Sequence, residues 1–505
     1  MVKATFALQL ELSVGVWTDV VSDVVVAGSP AHFEYGIRST NPDELVATTG
    51  IGRFVLNNSV RNSGAKLGYY TPGHANVRSG FDEGIQARVK LTYSGVSYYK
   101  WVGRISGITP VAGLQRERQS LIQAVDWMDQ AAAQKISQLA IQSSKRVDQV
   151  LPTIVADMPI APRATSYATG IETFTRVFDT DDDEKTSPLS LFSKLARNEY
   201  GYIYLKGDTT GGETLRFDSR HTRALNLTVL ASLNQSMQEL EVQYARSAVK
   251  NLIRAKIYPK KVDAAATTVL YTAQQKFTIG SGQSVTLILP YRDPTTARPI
   301  SATAVVDPLV ADTDYKFGTT EGSANDLNAS LGIVTTIGGN SARLVLTNNA
   351  SVTGWANLLQ LRGKGIYAYD PQTFESKDQA SINKRGELTM NYEMEQHDTA
   401  VKGEAFAAYL KNRLSMPVKI PTRVRFLANA SDALMLAFLQ GEPSSRITLT
   451  ESMTAIGADY FINGISFDIE PGGLIWCEWV VVPADSTAFF IWNTSLWNIN
   501  TYWAF

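Results

Sequence analysis

Residues Val89 to Gly107 read VKLTYSGVSYYKWVGRISG, and the reading of this stretch decides the fold. Val89, Leu91 and Tyr93 alternate with Arg88, Lys90 and Thr92. Successive strand side chains point to opposite faces, so Ile85 to Tyr93 is a half-buried strand. Ser94-Gly95 supplies a two-residue turn, and Val96 to Val102 runs back as the hairpin partner. The same alternation opens the chain in Phe6 to Leu12, where the large apolar residues take every second position. Residues 57–82 lie between the two and are rich in Asn, Ser and Gly, which predicts a long irregular loop.

Beyond Gly107 the pattern changes. Leu121 and Ala124 to Asp126 read as a closing strand, followed by helical stretches over about Met128–Ala140 and Ser144–Ala156. A further helix carries its own start and stop signals. Ser187 suits the N-cap, Pro188 the first helical position and Gly201 the left-handed C′ site, with Leu189, Phe192, Leu195 and Ala196 as the apolar stripe. A hairpin from Tyr202 to Phe217 completes a small α+β unit. Residues 237–375 return to strands, among them Leu240–Tyr244, Val285–Leu289 and Arg343–Leu346, while 260–283 and 318–330 read as loops or insertions. A helix at about Thr399–Leu414 is stopped by Pro417. The last strands are Tyr460–Ile469 and Leu474–Val482, joined by Pro471-Gly472-Gly473. No tandem repeat of 20–50 residues is visible, which argues against a solenoid.

The expected fold class is mainly β with a small α+β insert, in four domains: 1–120, a β-domain; 121–222, α+β; 223–390, a second β-domain with loop insertions; and 391–505, a helix plus β-domain with an aromatic tail. The bulk properties allow this. The chain has 505 residues, 44% hydrophobic and 19% charged, enough to bury several cores. Its 47 basic and 48 acidic residues leave a net charge of -1, so no overall basic field attracts nucleic acid. Cys477 is the only cysteine, which excludes a disulfide within the chain and a thiolate zinc site. The first residues have no long apolar core with a small-residue cleavage site, and no run of 18 apolar residues occurs. Neither a signal peptide nor a membrane span is expected.

Four stretches, in order, resemble the minor tail or tail-hub proteins of siphophages, which share the baseplate-hub architecture. They are Val89 to Gly107, with its strand, hairpin, strand and G-x-I step; Ile122 to Asp126 followed by Ser144 to Pro159, with its R-V-D-x-V-L helix; PLSLFSKLARNEYGYIYLKGDTTGGETLRFDSR from Pro188 to Arg220; and ADYFINGISFDIEPGGLIWCEWVVVPAD from Ala458 to Asp485. In the last, Phe467 stands where the family often has His, at what is expected to be a packing position. The resemblance covers about residues 40 to 490 and implies a non-enzymatic protein. It would have two tube-like β-barrel or sandwich domains per subunit, three subunits forming a ring that matches a sixfold tail tube. The implied partners are further copies of the chain, the tail tube or distal tail protein, the tape-measure protein, other tail-tip or receptor-binding proteins, and DNA in transit. The implied location is the virion tail tip, after assembly in the host cytoplasm.

Signals for chemistry are sparse. His32, His74, His221 and His397 form no His-Glu-x-x-His or close pair. Asp179 to Glu184 is the densest acidic run, yet Glu184 and Ser190 occupy positions where a calcium loop of the EF-hand type needs Gly and Glu; a solvated loop is favoured. Gly50-Ile51-Gly52 and Gly280-Ser281-Gly282 extend to no nucleotide fingerprint, and no Gly-x-Ser-x-Gly elbow is present. No catalytic, metal-binding or cofactor-binding residue is assigned. The C-terminus is crowded with aromatics, of which Trp492, Trp497, Tyr502, Trp503 and Phe505 are candidate subunit-docking residues. Packing in a final strand of their own domain and sugar stacking remain open for them. The rival readings of the whole chain are a receptor- or carbohydrate-binding tail protein and a cell-wall hydrolase.

Overall fold

The computed structural model describes residues 1–113, 117–136, 139–179, 186–322, 325–484, 488–489 and 501–502. The chain opens with seven strands, β1 (Thr5–Ser13), β2 (Val16–Asp19), β3 (Ala31–Gly36), β4 (Ile51–Asn57), β5 (Gln86–Tyr93), β6 (Val96–Val111) and β7 (Gln119–Val125). The turn between β5 and β6 has positive φ at both Ser94 and Gly95, the left-handed pair that matches the twist of a tight hairpin. The segment from Asn58 to Ile85 carries no strand and folds around Tyr70. That phenol is fully buried, donates to Asp23 Oδ2 at 2.5 Å and accepts from Arg78 Nη1 at 2.7 Å.

An α+β unit follows, made of α1 (Met128–Ala133), β8 (Gln142–Lys145), α2 (Val147–Asp157), β9 (Ala164–Tyr167), β10 (Phe174–Val177), α3 (Pro188–Glu199), β11 (Tyr202–Lys206), β12 (Thr214–Asp218) and α4 (Arg220–Ala224). The first helix is shorter than its sequence suggests. Beyond Ala133 the chain turns in to bury Ile136 and Leu139, and Ile136 N–H bonds to the carbonyl of Thr186. Ser144 and Lys145, expected to begin a helix, instead end β8, which pairs with β10. Ser187 caps α3 as expected, its hydroxyl accepting from Ser190 N–H, but the left-handed residue at the far end is Tyr200 (φ 54°) rather than Gly201. Placing a non-glycine there costs about 1–3 kcal/mol. Tyr200 offsets this by complete burial among Tyr202, Tyr392, Phe406 and Tyr409. Gly201 is needed for another reason: a Cβ there would sit 2.6 Å from the Phe217 ring.

The chain then leaves this unit through β13 (Val229–Asn234) and β14 (Glu239–Gln243) and returns to it with β15 (Leu252–Ile257). Nine strands follow: β16 (Lys260–Val262), β17 (Thr268–Thr272), β18 (Phe277–Ile279), β19 (Ser284–Pro290), β20 (Ser301–Thr303), β21 (Tyr315–Gly318), β22 (Leu331–Ile337), β23 (Ser341–Asn348) and β24 (Gly354–Ala368). They form a module with its own core of Leu270, Tyr291, Phe317, Leu344, Leu361 and their neighbours. Residues 260–283, expected as a loop, thus hold three short strands, each placed by pairing with the long β24. The module is an insertion, because β15 resumes as its neighbour β25 (Gln372–Lys377), with Ile257 directly opposite Gln372.

The last part comprises α5 (Gln379–Arg385), β26 (Thr389–Met394), α6 (Ala400–Leu414), β27 (Ile420–Leu427), α7 (Asp432–Gln440), β28 (Arg446–Glu451), β29 (Ile456–Glu470) and β30 (Leu474–Pro483). Here the expected boundaries fail. Residues 223–390 are not one domain: β13 and β14 pair with C-terminal strands, β15 and β25 belong with the α+β unit, and only the module stands alone. The range 391–505 also divides. Phe406, Ala407 and Leu410 of α6 enter the α+β core, whereas β27 to β30 share a core with β1 to β7. Burial decides the grouping, and it joins segments more than 400 residues apart.

Candidate assembly surface

Two sets of five strands repeat one pattern. In the first, β3–β4, β4–β7, β7–β6 and β6–β5 all pair antiparallel. In the second, β14–β27, β27–β30, β30–β29 and β29–β28 do the same. The longest strand of each set slips register just before a Gly-Ile pair, between Ile105 and Gly107 and between Ile462 and Gly464. An extra residue of this kind bends a strand, so both are bent at the same place. The match extends across the sheet. Ile108 faces Ile122 as Ile465 faces Trp479, Ile122 faces Phe54 as Trp479 faces Val424, and His32 faces Arg53 as Glu241 faces Arg423.

The two sets are joined edge to edge. β29 pairs with β3 from Gly464–Gly36 to Ile469–Ala31, which makes one continuous sheet in the order β14-β27-β30-β29-β3-β4-β7-β6-β5-β1-β2. At this seam the backbones approach so closely that a Cβ on Gly36 would lie 2.7 Å from Asn463 O and one on Gly464 2.8 Å from Ile37 O. On the buried side, Phe467 is 1% exposed, with its ring 5.3 Å from Phe33 and 5.2 Å from Phe438. This is the packing position expected of it.

The opposite face of the seam is polar. His32 Nδ1 lies 2.7 Å from Asp468 Oδ1 and its Nε2 3.7 Å from Glu34 Oε2, while Glu34 also pairs with Arg38. The bonds to Asp468 and then Glu34 push the imidazole up to about 9, and the His32 bond holds Glu34 below the usual carboxylate range. Further along, Arg423 reaches Glu239 at 2.6 Å and Glu478 at 2.9 Å, and Arg425 reaches Glu239 at 3.2 Å. Opposite charges thus alternate across neighbouring strands. The signal for these residues is present in Glu239-Leu-Glu-Val, Arg423-Val-Arg-Phe and Ser466-Phe-Asp-Ile-Glu, where charged or polar side chains take every second position.

Three parts of the fold meet at a buried polar joint behind the sheet. Lys100, 1% exposed, bonds Glu442 at 2.5 Å and the carbonyl of Gly441 at 2.7 Å, while Tyr35 donates to Glu442. Asp126 and Glu213 border the same small cavity, and burial raises each to about 7. The larger concavity, about 480 Å3, lies between the α+β unit and the sheet and is bordered by Tyr202, Lys250, Arg413, Met416 and Val418. No constellation of nucleophile, base and oxyanion donors is gathered in either cavity among the described residues.

The residues singled out from the sequence are scattered. His32 sits at the seam, His74 Nδ1 accepts from Asn76 N–H, His221 lies in α4, and buried His397 contacts Asn198 O at 3.0 Å. Among the described residues no three His, Cys, Asp or Glu side chains gather to hold a metal. Asp179 is buried against Lys260 at 2.5 Å, tying the inserted module to the α+β unit; residues 180–184 of the acidic run lie outside the described residues. The side chains of Trp492, Trp497, Tyr502, Trp503 and Phe505 lie outside them too. No helix among the described residues is long and apolar enough to cross a membrane.

The joined sheet has free edges among the described residues. They are the outer edges of β2, β13 and β14, and the second half of β6 on the side of β5, whose pairing stops near Arg104. An unpaired edge is a template for another strand.

Neither a protein-family model nor a curated protein matches the chain. Among solved structures it is similar to the 43 kDa tail protein of prophage MuSo2 from Shewanella oneidensis, at 11% identity over 95% of this chain and 98% of that one, with a TM-score of 0.48. The tail protein from Neisseria meningitidis MC58 gives 10% identity, 94% and 96% coverage and a TM-score of 0.48. Prophage tail protein gp18 from Listeria monocytogenes EGD-e gives 8% identity, 94% coverage of both chains and a TM-score of 0.42.

Proposed function

We propose that the chain is a non-enzymatic structural protein of a phage tail, a hub whose copies form a closed ring at the tail tip. One observation carries this reading: two equivalent five-strand sets fused edge to edge in a single sheet. Each chain thus already contains one example of the contact that a ring of such sets needs. Three copies present six sets, and closed symmetry avoids open-ended growth. The tail tube or distal tail protein meets one side of this ring, and the tape-measure protein and tip or receptor-binding proteins meet the rest.

The polar face of the sheet suits the wall of a passage for DNA. Arg423 and Arg425 on it are paired with carboxylates of neighbouring strands, which weakens their pull on phosphate. The sedimentation mass of the purified protein tests the ring. The account expects a discrete multiple of 55.3 kDa, with three copies favoured. A single-chain species at all concentrations contradicts it.

A second reading, attachment to a host surface or its carbohydrate, is favoured by the inserted module, which has a separate core and whose chain enters and leaves at one hairpin position. Titration of the protein against host wall material separates the two, since a hub alone does not bind it.

A further inference from the structure

The internal repeat specifies more than the existence of a ring, because it indicates which strands meet between copies. Within one chain the seam joins the bent half of β29 to β3. The equivalent of the bent half of β29 is the segment of β6 from Gly107 onward, and the equivalent of β3 is β14. Among the described residues both lack a partner on the corresponding side, β14 as the last strand of the sheet path and β6 beyond the end of its pairing with β5. β6 is also exposed there, at Ser106, Thr109 and Pro110.

We propose that β6 of one copy, from Gly107 to Val111, pairs antiparallel with β14 of the next, Glu239 to Gln243, repeating the internal seam between chains. This rests on the ring reading above and names its contact. Alignment of Gly107 with Gly464 puts Thr109 in the place of Ser466. Alignment of Glu241 with His32 puts Gln243 in the place of Glu34, which lies opposite Ser466 in the seam. Thr109 therefore faces Gln243 across the subunit boundary. Pro110 takes the place of Phe467. Proline offers no amide hydrogen, so this edge is a poor template for unspecified strands, as exposed edges generally are, while its carbonyl still accepts. Six strands lie between the two edges along the sheet path, and β6 and β14 do not pair within the chain.

The test is disulfide trapping with Thr109→Cys and Gln243→Cys in one chain; native Cys477 is buried. Directly opposed Cβ atoms are about 4.5–5.5 Å apart in antiparallel pairs, close enough for a bond to form with slight adjustment. Oxidation is expected to convert more than half of the chains into covalent multimers, and neither single variant does so. Glu34→Cys with Ser466→Cys is the matched control and closes within the chain, changing gel mobility without multimers. If the protein is oligomeric by mass and the control closes, but Thr109→Cys/Gln243→Cys stays monomeric on the gel, the strand assignment is wrong and the ring stands. Dimers from Thr109→Cys alone also overturn it, since they report like-to-like edges. A protein that remains a single chain at every concentration overturns both the assignment and the ring.

Discussion

His32 Nδ1 and Asp468 Oδ1, 436 positions apart in sequence, lie 2.7 Å apart across the seam between the two five-strand sets. The bond fixes the polar side of a junction whose buried side is the Phe33–Phe467 stack. It also makes the junction sensitive to pH. His32 is raised from 6.5 to about 9, so its contribution is complete below about pH 6.5 and is lost as pH rises through 9. With partial exposure discounted, about 1–2 kcal/mol is at stake. Urea unfolding of the wild type should show a fall in stability between pH 7 and 10, and His32→Gln should flatten that fall.

The buried carboxyl of Asp126 has the same sign of linkage. Burial raises it to about 7, so stability relative to the unfolded chain declines as pH rises from about 4 through 7. Asp126→Asn retains an oxygen to accept from Met128 N–H. The variant is expected to be more stable than wild type by about 2 kcal/mol at pH 8 and no more stable at pH 4, by denaturant titration at the two values.

Phe467 tests the buried side of the seam. Phe467→Ala removes contacts with Phe33 and Phe438 in a site with no solvent access. Losses of about 3–5 kcal/mol are usual for such a change. Equilibrium unfolding should show this loss, whereas Val334→Ala, on an exposed strand of the inserted module, should change stability by less than about 0.5 kcal/mol.

The inserted module is expected to be removable. Replacement of residues 258–371 by Asn-Gly reconnects two strands that are already paired, with a turn suited to a hairpin. Asp179→Asn is included so that loss of Lys260 does not leave a buried unpaired carboxylate. The shortened chain should keep the strand signal of its remaining strands by circular dichroism and the same number of copies by sedimentation. Loss of both would show that the module belongs to the main fold.

These particulars also show how far the sequence is legible. The β5–β6 hairpin, the capped α3 and the closing β29–β30 pair are written in local periodicity and turn residues, which is why they stand where expected. The domain boundaries are not, because pairing of β29 with β3 and of β14 with β27 is decided by burial between distant segments, and no local pattern records the partner. The repeat escapes notice for the same reason: its two halves share bend, register and alternation, but their residues differ, as Ile122 and Trp479 do at one position. Tyr200 is a smaller case, where an aromatic cluster overrides the preference for glycine. The charged outer face is visible as alternation in three strands, yet its pairing into one surface needs the sheet.

The central claim is that copies of this chain close into a ring whose wall is the polar face of the joined sheets. A reconstruction of the assembled particle tests it most directly. The account predicts three chains presenting six five-strand sets around one channel, with Arg423, Arg425, Glu239 and Glu478 paired on its wall. A channel lined by unpaired lysine and arginine, or a particle in which the five-strand sets make no contact between chains, would contradict it.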